Sequence, residues 1–314
     1  MNKISIRNGN RILCIATIAM VGLQYLLVFL GVYDSLALVL ASQISVVGVA
    51  VAGSVMSGVN LRETYRIRSI HWRTFIFAFL MVICSYPIIA LLNILSMFFV
   101  DNAVAGTATH IYQYGLGVSM LVMAVLPAIG EELLMRGVIY RSYREKSPVL
   151  AWVASAVIFG LLHMNFNQMP YAIYLGMMMV LMMEASDSIV TSMCMHFFVN
   201  GISTLSGYFS AAEMELMVQE GYSVETVLGS GSEMQLALMS MGILALIMIP
   251  LIILIIVSTF RVNGRTFGDA FGKEEPEYDA YSLPEIGEEP KIVDVWLIIA
   301  LLIMVVITAM NTFM

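Results

Sequence analysis

Charged residues are scarce in this chain. Only 12% of its 314 residues are Asp, Glu, Lys or Arg, whereas 60% are hydrophobic and the mean hydropathy is +0.89. A composition this apolar excludes an ordinary soluble globular protein. The few basic residues form no patch with interleaved aromatics, so no nucleic-acid partner is expected.

Cysteine is rare too, and two common hydrolase motifs are missing. Cys14, Cys84 and Cys194 all lie in apolar segments without metal-ligand spacing or an evident disulfide partner, so we interpret them as packing residues. Neither His-Glu-x-x-His nor Gly-x-Ser-x-Gly occurs. The protease mechanisms built on those motifs therefore lack support.

Long apolar runs dominate what is present. Nine of them reach or approach the length that a helix needs to cross a bilayer core of about 30 Å. They cover residues 12–31, 35–58, 75–100, 112–131, 149–164, 170–184, 188–208, 236–258 and 292–313. The pattern predicts an all-α, polytopic transmembrane helical bundle of about nine spans, embedded in a lipid bilayer.

The basic residues predict the orientation of this bundle. Lys3, Arg7 and Arg11 precede the first run, which predicts a cytosolic N-terminus. Nine crossings then place all 15 Lys and Arg residues on the cytosolic side and only acidic residues on the opposite side. This segregation supports nine spans. We expect an integral protein of a bacterial cell membrane.

Polar side chains within the runs divide the chain into three regions. Residues 1–111 form an N-terminal three-span membrane region, and residues 112–208 contain four polar-bearing spans with short connections. Residues 209–314 contain an outer acidic segment, a span, a cytosolic loop and a final span. Because ionisable groups at membrane depth need a partner or a function, we predict that residues 112–208 are the catalytic core.

Three short motifs lie on three of the four spans of this core. They are EELLMR at 131–136, FGLLH at 159–163 and HFFVN at 196–200. The six chemically distinctive residues are Glu131, Glu132, Arg136, His163, His196 and Asn200. Their positions on neighbouring spans predict that they converge in one pocket.

Helical spacing predicts how these side chains point. Glu132 and Arg136 are four residues apart and suit an ion pair on one face, while Glu131 points about 100° away, toward another helix. His196 and Asn200 likewise share a face. The structural alternatives are a cluster that marks a helix end and interhelical hydrogen bonds that stabilise the bundle.

His163 has two neighbours at helical spacing. Phe159 lies four residues before it and could shield the imidazole from lipid, and Asn167 lies four residues after it and could form a hydrogen bond with it. A packing or interfacial histidine is the structural alternative at this position.

The set suits hydrolysis of an amide by an activated water. A carboxylate can act as general base, an imidazole can position the water or protonate the leaving amine, and an Asn amide can donate to an oxyanion. Glu131, His163 and His196 could also hold Zn²⁺ with one position open for water. The residues alone leave the metal-bound and metal-free versions open.

In this order along the chain, the motifs resemble those of the CAAX protease and bacteriocin-processing (CPBP, or Abi) family. The family pattern is Glu-Glu-x-x-x-Arg, Phe-x-x-x-His and His-x-x-x-Asn, and all three motifs are present without substitution. The resemblance covers about residues 112–208. It implies an all-helical intramembrane endopeptidase whose active site opens toward the cytosol.

Carried over by position, the resemblance implies that Glu131 activates water with help from His163. Glu132 and Arg136 would support that carboxylate, and the His-x-x-x-Asn motif would stabilise the oxyanion. Members are commonly called metalloproteases, but we prefer a glutamate mechanism without metal. The expected partner is a peptide or protein substrate, which in eukaryotic relatives is a prenylated CAAX protein.

Two other classes of function remain open. Bacterial members of the family are linked to bacteriocin maturation and to self-immunity, so a non-catalytic immunity or membrane binding protein could use the same scaffold. Intramembrane Glu and His residues also occur in proton-coupled transporters, although the chain shows no internal repeat of the kind that such transporters contain.

Overall fold

The structure is a computed structural model that describes residues 3–100, 103–219, 231–272 and 291–313. Every regular element in these ranges is a helix, which confirms the predicted all-α fold. The elements are α1 (Ile6–Phe29), α2 (Ser35–Met56), α3 (Leu61–Thr64), α4 (Trp72–Met97), α5 (Ala103–Tyr112), α6 (Leu116–Arg144), α7 (Pro148–Leu162), α8 (Met169–Ser186), α9 (Ile189–Gln219), α10 (Gly231–Val262), α11 (Phe267–Phe271) and α12 (Val295–Phe313).

Each of the nine predicted spans corresponds to one helix. Eight of these are long and apolar enough to cross a membrane, and α7 is a shorter apolar helix of 15 residues. The protein is therefore a polytopic helical bundle, as predicted. The predicted runs at residues 149–164 and 170–184 correspond to α7 and α8, which are the two shortest of the nine helices.

Helices α6 to α9 form the centre of the bundle. A first apolar cluster joins this centre to α1, α2 and α12 through residues such as Leu13, Leu134 and Met304. A second joins it to α4 and α10 through residues such as Met81 and Met182. The four central helices, three of which carry the sequence motifs, are thus enclosed on two sides by other helices.

Helix α6 is wound irregularly around the Glu-Glu motif. Two π-helical segments, Leu121–Val125 and Leu133–Tyr140, flank a regular α-helical stretch, Leu126–Glu132. Pro127 has no N–H to donate to the carbonyl four residues earlier, which weakens the regular bonding next to the first segment. π-Helical turns often occur at functional sites because they change the direction of neighbouring side chains.

Basic residues from distant segments meet at one end of the bundle, which we call the arginine end. They line a cavity of about 640 Å³ together with Asp187 and Asp269. The basic residues are Lys3, Arg66, Arg68, Arg141, Arg144 and Arg265. The fully buried Glu184 carboxylate lies 2.6 Å from Arg66 Nη1 and 3.3 Å from Arg144 Nε, which ties together the loops at this end.

Polar side chains cap the helices at both ends. At the arginine end, Ser147 precedes Pro148 and accepts from a backbone N–H of the first turn of α7. At the other end, the Asp34 carboxylate caps α2 and accepts from the Tyr114 hydroxyl at 2.5 Å. These two contacts hold the pKa of Asp34 below its usual range, with the Tyr114 hydrogen bond as the larger cause.

Candidate active site

Glu132, Arg136 and His196 form one buried polar contact between α6 and α9. Arg136 Nη1 donates to Glu132 Oε1 at 2.8 Å, and His196 Nδ1 lies 2.9 Å from the same oxygen. The side chains of Glu132 and Arg136 are 0% and 1% exposed. The predicted ion pair across one helical turn is therefore present, and it also fixes the histidine of the third motif. A carboxylate can only accept, so Nδ1 of His196 carries the proton of this bond.

Helix α8 closes the other side of the Arg136 guanidinium. Nη2 donates to the Gly176 carbonyl at 3.3 Å and contacts Met179 Sδ at 3.3 Å. The guanidinium carbon also lies 4.5 Å from the centre of the Phe159 ring, a cation–π contact that comes from α7. One arginine thus contacts three of the four central helices. None of the contacts with α8 was predicted.

Phe159 separates the arginine from the two histidines. Its ring lies edge to face against His163, with ring centres 4.8 Å apart, and against His196, with ring centres 5.8 Å apart. The predicted contact between Phe159 and His163 is confirmed. Gly176 permits this packing, because a Cβ there would lie 3.0 Å from the Ala156 backbone and 3.3 Å from the Phe159 ring.

His163 ends α7 and is oriented by its own helix. Its Nδ1 lies 2.7 Å from the Phe159 carbonyl oxygen, and because a carbonyl only accepts, Nδ1 is the protonated nitrogen. Its other neighbour does not behave as predicted. Asn167 donates to Ser96 Oγ at 2.8 Å and does not contact His163, because the chain turns away at Met164, whose φ is +49°.

Glu131 is the point on which both histidines converge. Nε2 of His163 and Nε2 of His196 each lie 3.9 Å from Glu131 Oε2. That oxygen is buried and has no hydrogen-bond partner within the described residues. In both rings Nδ1 forms a hydrogen bond with another group, so Nε2 is the nitrogen that faces this oxygen. The predicted convergence of the three motifs is present.

Gln43 of α2 is a site residue that the sequence reasoning missed. Its Nε2 donates to Glu131 Oε1 at 3.2 Å, and its side chain is largely buried. This bond leaves Oε2 as the oxygen that faces the histidines. An amide within an otherwise apolar run was the available signal, but nothing in the local spacing connects it with a carboxylate 88 residues away.

Gly130 brings α2 close enough for this bond. A Cβ at position 130 would lie 2.5 Å from Val47 Cγ2, so only glycine allows the two helices to approach here without a shift. Val47 is one turn after Gln43 on α2, and Gly130 directly precedes Glu131. The sequence element Gly-Glu-Glu thus combines a helix contact with the acidic pair.

A cavity of about 530 Å³ lies in front of Glu131, and we call it the site cavity. His163 and Asn200 line it, whereas Glu132 and Arg136 do not, and His196 reaches it only through Glu131, whose Oε2 lies 3.9 Å from His196 Nε2. Amide and hydroxyl side chains from four helices and a connecting loop also line it: Gln24, Ser42, Gln43, Thr107, Asn165, Gln168 and Asn311. Apolar side chains such as Met20, Ile111 and Leu162 line it as well, so the cavity is mixed in character and carries one carboxylate and one imidazole.

The site cavity and the arginine end lie at opposite ends of the central helices. Helix α6 contributes Glu131 to the cavity and Arg144 to the arginine end, and α8 extends from Gln168 in the cavity to Asp187 at the arginine end. A cytosolic arginine end and a site that opens toward the cytosol were both expected. In this structure the two expectations are incompatible.

The arrangement of ligands does not fit a zinc site as it stands. Among the residues that the structure describes, no group of three His, Cys, Asp or Glu side chains is placed to hold a metal ion. The predicted candidates are Glu131, His163 and His196. Nε2 of each histidine lies 3.9 Å from Glu131 Oε2. We therefore derive no chemical step through a metal.

These features define an integral membrane protein with a carboxylate-containing site enclosed by apolar helices. Residues 113–202 match the model of the Rce1-like family, described as type II CAAX prenyl endopeptidase Rce1-like. The matched segment contains all three motifs and confirms the resemblance predicted from them. It covers less than a third of the chain. No curated protein and no solved structure shows a significant match.

Proposed function

We propose that this protein is an intramembrane endopeptidase in which Glu131 activates a water molecule. The observation that carries the proposal is the environment of Glu131 Oε2, which is buried, unpaired and 3.9 Å from Nε2 of both histidines. This separation is too long for direct hydrogen bonds and suits a water that contacts all three groups at about 2.8 Å. The Rce1-like match supports a protease.

The protonation of His163 suits a role in positioning the water. Nδ1 donates to the Phe159 carbonyl, so Nε2 of the neutral ring is an acceptor. A water between the two groups would donate one hydrogen to Glu131 Oε2 and the other to His163 Nε2. Its lone pair would then be directed at a peptide carbonyl in the site cavity, and Glu131 would take the proton as the C–O bond forms.

His196 and Asn200 would stabilise the tetrahedral intermediate. Nδ1 of His196 donates to Glu132, which orients the ring with Nε2 toward Glu131 Oε2. With a second proton on Nε2, the ring would donate to the oxyanion, and the Asn200 amide would provide a second donor from the same helix face. Collapse of the intermediate breaks the C–N bond as Glu131 returns its proton to the leaving amine nitrogen.

Substitution of Glu131 tests this proposal. We expect Glu131→Gln to reduce cleavage by about 10²–10⁴-fold, the usual contribution of a general base, while the protein remains folded. The matched control is Glu63→Gln, because Glu63 is exposed on α3 and remote from the cavity. The assay uses purified protein in proteoliposomes with a farnesylated CAAX peptide and, in parallel, an unmodified fluorogenic peptide.

The same variants separate the competing functions. Equal cleavage by Glu131→Gln and the control would contradict the catalytic role. If neither peptide is cleaved by any form and protection against a bacteriocin persists in Glu131→Gln, the protein is a binding or immunity protein. Zinc analysis of the purified protein, with His163→Ala as comparison, decides whether a metal takes part.

A further inference from the structure

The site cavity and the cavity at the arginine end lie toward opposite ends of the long apolar helices. Helix α8 begins beside Gln168 in the site cavity and ends at Asp187 in the arginine end. These two residues are 19 positions apart, or about 28 Å along a helix, which is close to the thickness of a bilayer core. Helix α1 has the same polarity, with Lys3 before its start at the arginine end and Gln24 near its end in the site cavity.

The positive charge of the protein is concentrated at the arginine end. Apart from Arg136, every Lys and Arg in the described ranges lies in a loop at this end or within two turns of a helix terminus there. The start of α12 lies at this end too, since Asn10 of α1 donates to the Ile292 carbonyl at 2.9 Å. By contrast, neither Lys nor Arg lines the site cavity.

Basic loops stay on the cytosolic side of a membrane as proteins insert. We therefore propose that the site cavity opens on the non-cytosolic face and that its substrate is an uncharged, extended peptide segment presented there. The C-terminal motif of a cytosolic prenylated protein would lie on the wrong side. The access route stands on the distribution of charge, whereas the substrate class also rests on the proposed function.

The floor of the cavity supports one-sided access. Glu132 and Arg136 lie behind Glu131 on the arginine side and are almost completely buried, and Phe159 packs over the guanidinium. A peptide that came from the arginine end would have to displace this ion pair. From the other end it meets apolar side chains and uncharged polar ones. The amides among them, such as those of Asn165 and Asn311, can donate to and accept from a peptide backbone.

Cysteine accessibility in intact cells tests the access route. Thr107→Cys and Asn311→Cys place exposed thiols at the site cavity, and Glu63→Cys and Glu145→Cys place exposed thiols at the arginine end. The unmodified chain is the blank, because its three cysteines lie within membrane helices and none is fully exposed. The probe is a membrane-impermeant maleimide, applied before and after permeabilisation of the cytoplasmic membrane.

We expect both cavity thiols to react in intact cells and both arginine-end thiols to react only after permeabilisation. The reverse pattern, or reaction of the cavity thiols only after permeabilisation, would overturn the proposed route. The measurement needs no hydrolysis and is repeated in Glu131→Gln, so its failure is distinct from a failure of the proposed function.

The substrate class is tested by the side on which a peptide is cleaved. A membrane-impermeant, internally quenched peptide without charged residues is given to intact cells and to inverted vesicles. We expect cleavage that is lost in Glu131→Gln with intact cells and none with inverted vesicles. Cleavage by inverted vesicles alone would overturn the proposal. Absence of cleavage on both sides would count against the substrate class, and the labelling pattern would still decide the route.

Discussion

Gln43 donates from α2 to the one oxygen of Glu131 that does not face the histidines. The bond is 3.2 Å long and joins residues 88 positions apart in the sequence. It holds the carboxylate between two environments, an amide on one side and two imidazoles on the other. A side chain outside the three motifs thereby sets the orientation of the proposed base.

Loss of this amide should reduce turnover without reducing substrate binding. Gln43→Met keeps the length of the side chain but removes the donor, and a hydrogen bond to a charged group is worth about 1.5–3 kcal/mol. We expect kcat to fall by about 10- to 100-fold with KM unchanged. Gln24→Met is the control, because Gln24 lines the same cavity but bonds to the Leu38 carbonyl. Equal effects of the two substitutions would show that the contact with Glu131 has no special role.

The contact between α2 and α6 should tolerate no added methyl at Gly130. In Gly130→Ala, Cβ would meet the Val47 side chain at 2.5 Å, and overpacking of this kind typically costs about 1–3 kcal/mol. We expect a lower melting temperature in detergent and weaker activity. Gly48→Ala should be neutral or stabilising, because nothing lies within 4 Å of the added methyl. Addition of Val47→Ala should restore the melting temperature and activity that Gly130→Ala loses. A double variant no more stable than Gly130→Ala would exclude this clash as the cause.

Removal of the Arg136 charge should leave Glu132 without its closest counter-ion. Breaking a buried pair from one side costs about 3–5 kcal/mol, because the remaining charge stays out of water. We expect Arg136→Met to unfold at a much lower temperature than the parent. Addition of Glu132→Gln should recover part of the loss, which a double-mutant cycle measures. Strictly additive effects would contradict a direct coupling.

The two histidines should differ in their effect on stability. His196 connects α9 to Glu132 of α6, whereas His163 bonds only to a carbonyl of its own helix. We therefore expect His196→Ala to lower both activity and melting temperature and His163→Ala to lower activity with little change in melting temperature. The measurement is thermal unfolding in detergent beside cleavage in proteoliposomes. Equal destabilisation by both variants would contradict the bonding pattern.

Spacing along the sequence was sufficient to predict the contacts that lie within one helix or on one helix face. The four-residue separation predicted the bond between Glu132 and Arg136, and the same spacing predicted the contact between Phe159 and His163. Placement of the motifs on neighbouring spans predicted their convergence on Glu131. These relationships follow from helical periodicity, which depends only on sequence distance.

Helical spacing could not predict the contacts that depend on packing between helices remote in the sequence. Gln43 meets Glu131 only because Gly130 lets α2 approach, and Arg136 meets α8 through a backbone carbonyl that has no sequence signature. Asn167 was expected beside His163, but a residue of positive φ ends the helix between them. The side on which the cavity opens depends on where several helix ends meet.

The shortness of α7 has a consequence for the lipid around the protein. Fifteen residues extend about 22 Å, less than the roughly 30 Å of a typical hydrocarbon core, and His163 stands at the tip. Where this helix stops, the bilayer must thin or headgroups must be drawn inward. Longer acyl chains would increase that deformation. We therefore expect the thickness of the membrane to affect the hydration of the His163 imidazole and its neighbours.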